Sequence, residues 1–205
     1  RGFVKVEDPL VALQDIGRHV RAGFRGPVVA ITGSAGKTTT RAMTGLTLSS
    51  LGRVHQTAGN LNNHIGLPLT LINAPIDSDA WVLELGMNHL GEIHQLQEIC
   101  KPTVRLITNV GAAHLEGVGS LEGVAQAKGE LFAGARPGDI CCINMDDPMI
   151  AAMPIPDGVR ILRYGSTPEC DVRLTDAVVD GRSLTTRFRI ETRHGVLLGQ
   201  VHSPG

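Results

Sequence analysis

Aromatic side chains are scarce in this chain, at 3% of 205 residues. Surfaces that bind single-stranded nucleic acid stack bases on aromatic rings, so that class is disfavoured. A surplus of either charge is also lacking: 19 Lys and Arg stand against 20 Asp and Glu, for a formal net charge of −1. With no basic stripe, nothing electrostatic argues for DNA, RNA or anionic membranes as partners. No apolar run is long enough for a membrane span, and no signal-peptide pattern is visible. The cysteines Cys100, Cys141, Cys142 and Cys170 form no C-x-x-C pair. They read as reduced, small hydrophobes of a cytosol-like compartment. The expected location is cytoplasmic, or an organelle stroma if a leader has been removed, because the chain opens without Met.

Glycine is plentiful instead, at 25 residues, with 42% hydrophobic and 19% charged residues. That composition suits an α/β protein with many tight turns, and the length suits one domain, with room for a small appendage.

An amphipathic stretch within residues 1–25 places Leu10, Leu13, Ile16, Val20 and Phe24 at near-helical spacing. It ends at Gly26-Pro27. Apolar strands are expected at 28–31, 80–85, 104–108 and 140–143, with a shorter one at 53–56. Helices are expected at 37–51, 67–72, 91–100 and from a Ser120 cap to about 132. Such alternation indicates βαβ units: a mostly parallel sheet flanked by helices, of P-loop type. After about residue 158 the pattern changes. Residues 160–164, 171–179 and 183–201 alternate apolar and polar, with turns at Gly165, Asp180-Gly181 and His194-Gly195. These segments are expected to form a small antiparallel β appendage.

Between the first strand and its helix lies Thr32-Gly33-Ser34-Ala35-Gly36-Lys37-Thr38-Thr39. A buried strand, a glycine turn and a helix start make a nest for phosphate, because glycines admit close backbone approach and free N–H groups point at the anion. Lys37 would add a charge at the β/γ-phosphates, and the Thr38 hydroxyl would be a Mg²⁺ ligand. The pattern is the short form G-x-x-G-K-T; Ile31 stands where the longer pattern has its first glycine. A chance glycine-rich turn would look the same.

Other chemistry-bearing residues fall at strand ends, where ligands bind in such sheets. Glu84 could hold Mg²⁺ directly or through water, or be a strand-end carboxylate in a salt bridge. His114 follows the strand at 104–108 and its turn, and lone histidines are commonly structural or exposed. Lys128, beside Glu130 on a helix, reads equally as a solvated residue. Asn144-Met145-Asp146-Asp147 could be a simple Asx turn. His89 and His94 lack the spacing of a metal pair and are expected on the surface.

Together these segments resemble the central ATPase domain of the Mur ligases. The match is carried by the 31–39 loop, by Gly59-Asn60-Leu61-Asn62-Asn63-His64-Ile65-Gly66-Leu67-Pro68 and by Glu84-Leu85-Gly86-Met87-Asn88-His89-Leu90-Gly91-Glu92-Ile93. Ala113-His114-Leu115-Glu116-Gly117-Val118-Gly119-Ser120 and Ala127-Lys128-Gly129-Glu130 complete it. The continuation after Glu84 favours the branch that adds D-Ala-D-Ala, although Met87 replaces a common Ala.

The resemblance implies ATP and Mg²⁺ as cofactors, with the Gly33, Ser34, Ala35, Gly36 backbone and Lys37, Thr38 and Thr39 around the phosphates. It implies Thr38 and Glu84 as ligands of one Mg²⁺, and His114 with a carbamylated Lys128 as ligands of a second. Lys37, His114 and Lys128 would serve catalysis. Asn144 and Asp147 would lie near adenine or ribose, and Asn60, Asn62 and Asn63 near the γ-phosphate and incoming substrate. The implied partners are UDP-MurNAc-peptide and D-Ala-D-Ala, with no nucleic acid or membrane, acting on a monomer.

The implied organisation is a preceding-domain tail or linker helix at 1–25 and a central domain at 26–205, incomplete at its C-terminal end. Such a piece is expected to bind nucleotide weakly and to catalyse nothing alone. Two other readings remain: a diamino-acid-adding or folylpolyglutamate-type ligase, and a non-catalytic nucleotide-binding remnant.

Overall fold

The computed structural model describes residues 3–112 and 115–202. Its first element, α1 (Pro9–Gly23), starts where the Asp8 side chain accepts hydrogen bonds from the Leu10 and Val11 amides and Pro9 needs no donor. Then come β1 (Val28–Thr32), α2 (Lys37–Leu48), β2 (Val54–Gln56), α3 (Gly66–Ile72), β3 (Ala80–Glu84), α4 (Glu92–Cys100), β4 (Val104–Ile107), α5 (Leu115–Val118), α6 (Leu121–Ala133), β5 (Ile140–Asn144), α7 (Pro148–Ala151), β6 (Arg160–Gly165), β7 (Val172–Asp180), β8 (Thr185–Thr192) and β9 (Gly195–His202).

The described strands form one sheet in the order β2-β3-β1-β4-β5-β6-β7-β8-β9. Pairing is parallel from β2 through β7 and antiparallel from β7 through β9. The mostly parallel sheet with an antiparallel C-terminal end is therefore present. The expected grouping of 160–164 with the antiparallel strands is corrected: β6 pairs parallel with β5, Ile140 opposite Arg160, and prolongs the main sheet. Alternation along a strand shows which residues share a face, but not which neighbour it pairs with or in which direction. The helix expected to reach residue 51 ends at Leu48 and continues as turns. The four-residue α7 was not expected.

The strands bury opposite sides in two clusters. Val28 and Ala30 join the larger one with Leu67, Leu83, Leu96, Leu131 and Phe132, while Val29 and Ile31 join a smaller one packed by Leu48. This is the period-2 alternation of a strand covered on both faces. Helix α1 is held to the larger side: Phe24 stacks on Trp81 with ring centroids 4.0 Å apart, and Arg21 donates to the Cys100 and Lys101 carbonyls at the end of α4, at 2.6 and 2.7 Å. A cation there complements the negative end of the helix.

Helix α4 begins at Gly91, which has no side chain to cap it. Glu130 of α6 does so across the helix pair, accepting from the Gly91 and His94 amides at 2.6 and 2.9 Å. No described helix is long and apolar enough to cross a membrane.

Candidate functional site

The chain enters the site from β1, whose last residue, Thr32, is fully buried and donates its hydroxyl to the Leu85 carbonyl at 2.9 Å. Gly33 follows with φ of 150°, and a Cβ there would stand 1.8 Å from Thr108 Oγ1. Only glycine lets the loop pass so close to the end of β4. Gly36 has φ of 77° and opens α2 with no side-chain cap, so the first-turn donors of that helix face the cleft.

The strand beside it fixes the loop. Ala35 donates to Asn109 Oδ1 at 2.9 Å, and its carbonyl accepts from Asn109 Nδ2 at 3.0 Å and Thr108 Oγ1 at 2.7 Å. The Ser34 hydroxyl donates to the Gly111 carbonyl at 3.0 Å and accepts from the Gly111 amide at 2.8 Å. The nest is thus shaped before any ligand arrives. The two-sided grip of Asn109 on Ala35 is a tertiary fact that no local sequence pattern encodes.

Parallel pairing sets Ile31 opposite Glu84 and so delivers the Glu84 carboxylate beside the helix start. It is 3% exposed. Its Oε2 accepts from Thr38 Oγ1 at 2.9 Å and its Oε1 from Asn62 Nδ2 at 2.8 Å. The Glu84 amide is held by Thr57 Oγ1 at 2.9 Å. Because the single O–H of Thr38 is spent on Glu84, the lone pairs of that hydroxyl stay free for a cation. A hard cation prefers such oxygens, so the pair fits Mg²⁺. Lys37 Nζ donates to the Gly33 carbonyl at 2.8 Å and lies over the nest.

These residues border a cleft of about 480 Å³ whose wall includes Ser34–Thr39, Asn62, Asn63 and Glu84. Glu92 also lines it. Burial alone would raise that carboxyl, but hydrogen bonds from the Asn88 amide and from His89 hold it below its ordinary value. Asn63 Oδ1 accepts from the Ile65 and Gly66 amides, at 3.1 and 2.8 Å, and so shapes the start of α3.

The remaining expected residues stand apart from the cleft wall. Asn60 is exposed, and its carbonyl accepts from the Asn62 amide at 2.7 Å. Asn144 Nδ2 donates to the Thr108 carbonyl at 2.8 Å. Asp147 caps α7 and also accepts from the Val110 amide at 2.7 Å, tying down the loop after β4. His114 lies outside the described residues.

Lys128 is no solvated residue: it is 1% exposed on α6. Burial, and then the Lys37 charge, lower its pKa to about 8. Both favour neutral amine, the form that reacts with CO₂ to give a carbamate, so this buried lysine fits that modification. Among the described residues no group of three His, Cys, Asp or Glu side chains is placed to hold a metal. His89 and His94 are both exposed, as expected. Arg41, three residues after Thr38, was missed altogether; its Nε lies 3.9 Å from Glu84 Oε2. The helical spacing that turns Arg41 toward Thr38 was available in the sequence.

Residues 31–200 match the Mur ligase middle domain. The UDP-N-acetylmuramoyl-tripeptide–D-alanyl-D-alanine ligase of Escherichia coli (strain K12) is 46% identical over 142 residues, 69% of this chain and 31% of the relative. Among solved structures, MurF from Acinetobacter baumannii superposes with a TM-score of 0.89 at 30% identity, over 98% of this chain and 46% of that one. MurF ligase from Thermotoga maritima, solved in complex with ADP, gives a TM-score of 0.84 at 30% identity, over 98% and 47%. The chain spans about a third of the length of the curated relatives it matches.

Proposed function

The chain belongs to the Mur ligase family, and from that premise we propose that it carries the ATP site of a ligase joining D-Ala-D-Ala to UDP-MurNAc-tripeptide in peptidoglycan precursor synthesis, in the cytoplasm. The observation that carries this reading is the Thr38–Glu84 hydrogen bond beside the uncapped start of α2. It sets a helix N-terminus, a lysine and a paired hydroxyl and carboxylate around one cleft. That combination suits a magnesium-bound triphosphate and little else.

In this reading the loop from Gly33 to Gly36 wraps the β-phosphate with backbone N–H groups, and Lys37 leaves the Gly33 carbonyl to neutralise the β/γ-oxygens. Thr38 and Glu84 hold the cation, which when bound offsets charge on the transferring phosphoryl group. Asn62 orients Glu84, and Asn60 and Asn63 flank the entering substrate. Asn144 and Asp147 shape the loop near the nucleoside. The tripeptide carboxylate takes the γ-phosphoryl group from ATP to give an acyl phosphate, and ADP leaves with the bridging oxygen. The dipeptide amine then attacks the carbonyl and releases phosphate. Lys128, as a carbamate with His114, would present anionic oxygen and nitrogen to a second cation.

Titration with a fluorescent ATP analogue and Mg²⁺ tests the reading. Wild type should bind, and Lys37→Ala should bind roughly tenfold to a hundredfold more weakly, the worth of a charge-assisted contact of about 1.5–3 kcal/mol. Equal affinities would refute it. In the full-length protein, amide formation with D-Ala-D-Ala, but not with a diamino acid or glutamate, tests the branch. That assignment rests on the named relatives.

A further inference from the structure

Arg41 lies one helical turn after Thr38 on α2, so both side chains share the face turned toward β3. The Arg41 side chain is 13% exposed, and its Nε is buried without a hydrogen-bond partner among the described residues. The carboxylate it meets is Glu84, with Oε2 at 3.9 Å from Nε. That separation is an ionic contact and too long for a hydrogen bond. Each Glu84 oxygen already has a donor, Asn62 at Oε1 and Thr38 at Oε2. Arg41 therefore supplies this carboxylate with charge and leaves its hydrogen bonding to others.

We propose that Arg41 is a positioning residue that makes divalent-cation binding at the Thr38–Glu84 pair conditional on nucleotide. This rests on the ATP reading above. Without nucleotide, the single negative charge of Glu84 is matched by the adjacent guanidinium. Lys37 adds a second positive charge at the nest, where it sits on the Gly33 carbonyl. A dication approaching the Thr38 lone pairs then meets no net attraction, and partial burial keeps the repulsion from being screened. A bound triphosphate reverses the balance by bringing several negative charges and engaging Lys37. Metal and nucleotide enter as one unit, each raising the affinity of the other by the same factor. The charge, and not the shape, of residue 41 sets how weakly the metal binds alone.

The test measures Mn²⁺ affinity by electron paramagnetic resonance, with and without a non-hydrolysable ATP analogue, for wild type, Arg41→Gln and Arg41→Lys. Wild type should bind Mn²⁺ weakly alone and far more tightly with the analogue. Arg41→Gln should bind Mn²⁺ alone about tenfold more tightly. Arg41→Lys should behave as wild type. Unchanged Mn²⁺ affinity in Arg41→Gln, with nucleotide still bound, overturns the proposal and leaves the ATP reading standing. So does an Arg41→Lys protein that behaves like Arg41→Gln. If Arg41→Gln does not fold, Arg41→Lys still tests the charge, and equal Mn²⁺ affinity of wild type with and without the analogue still overturns the proposal. A wild type that binds no nucleotide overturns the ATP reading and this proposal together.

Discussion

The Lys37 ammonium acts on the buried amine of Lys128 across the space between α2 and α6, and with burial, the larger cause, it brings Lys128 from 10.5 down to about 8. Two lysines so placed divide the labour. Lys37 is the one proposed to meet phosphate. The other is driven toward the neutral form, in which it can act as a nucleophile.

Lys128 is expected to take up CO₂. Labelled bicarbonate followed by carbon NMR should show a carbamate signal in wild type that is absent in Lys128→Ala. Mg²⁺ and nucleotide should strengthen that signal by holding the anion in place. Its absence under all these conditions would return Lys128 to a purely structural role.

Unmodified, Lys128 should cost stability, because its folded-state pKa lies below the ordinary value. The sign follows from proton linkage: below about pH 8 both folded and unfolded chains carry the proton, and the full burial cost applies. Between about pH 8 and 10.5 the folded chain loses the proton first, and the cost fades. Lys128→Met should therefore be more stable than wild type by about 1–3 kcal/mol at neutral pH without bicarbonate. Urea melts at pH 7 and pH 10 should show that advantage shrinking as pH rises.

Gly33→Ala should be severe. The new Cβ would overlap Thr108 Oγ1 and sit 3.1 Å from the Thr108 amide, so the hydroxyl that holds the Ala35 carbonyl must turn away. A loss of about 2 kcal/mol or more in chemical melts is expected, with at least a tenfold fall in nucleotide affinity. Adding Thr108→Ala should recover only part of the stability, because the backbone strain at Gly33 remains.

Glu130→Ala removes both acceptors at the start of α4. About 1–2 kcal/mol should be lost, read as a fall in melting temperature of about 2–8 °C, with Glu130→Gln intermediate.

The glycine loop was legible because its own turn is local: an apolar strand, two glycines at positive φ and a helix start within nine residues, 31–39. Glu84 was legible by its place at the end of a buried strand, and parallel register does the rest. What the sequence hid was tertiary. Lys128 looked solvated because Glu130 stands near it, yet Val124 and Leu131, at helical spacing, put it on the buried face of α6. The direction of β6 depends on which neighbour it meets, and no local pattern encodes that. Asp147-Pro148 did carry a capping signal for α7, and it was read as a turn.

The Gly33–Gly36 loop hangs from β1, which is buried along its whole length with a parallel partner on each side. Among the described residues the far edge of the same sheet is β9, paired on one side only and exposed at Val196, Leu197 and Leu198. Amide exchange with heavy water should therefore sweep inward, β9 first and β1 last. Fraying at the antiparallel end can come and go while the Gly33 loop keeps its shape, since the loop is anchored where the molecule opens least often.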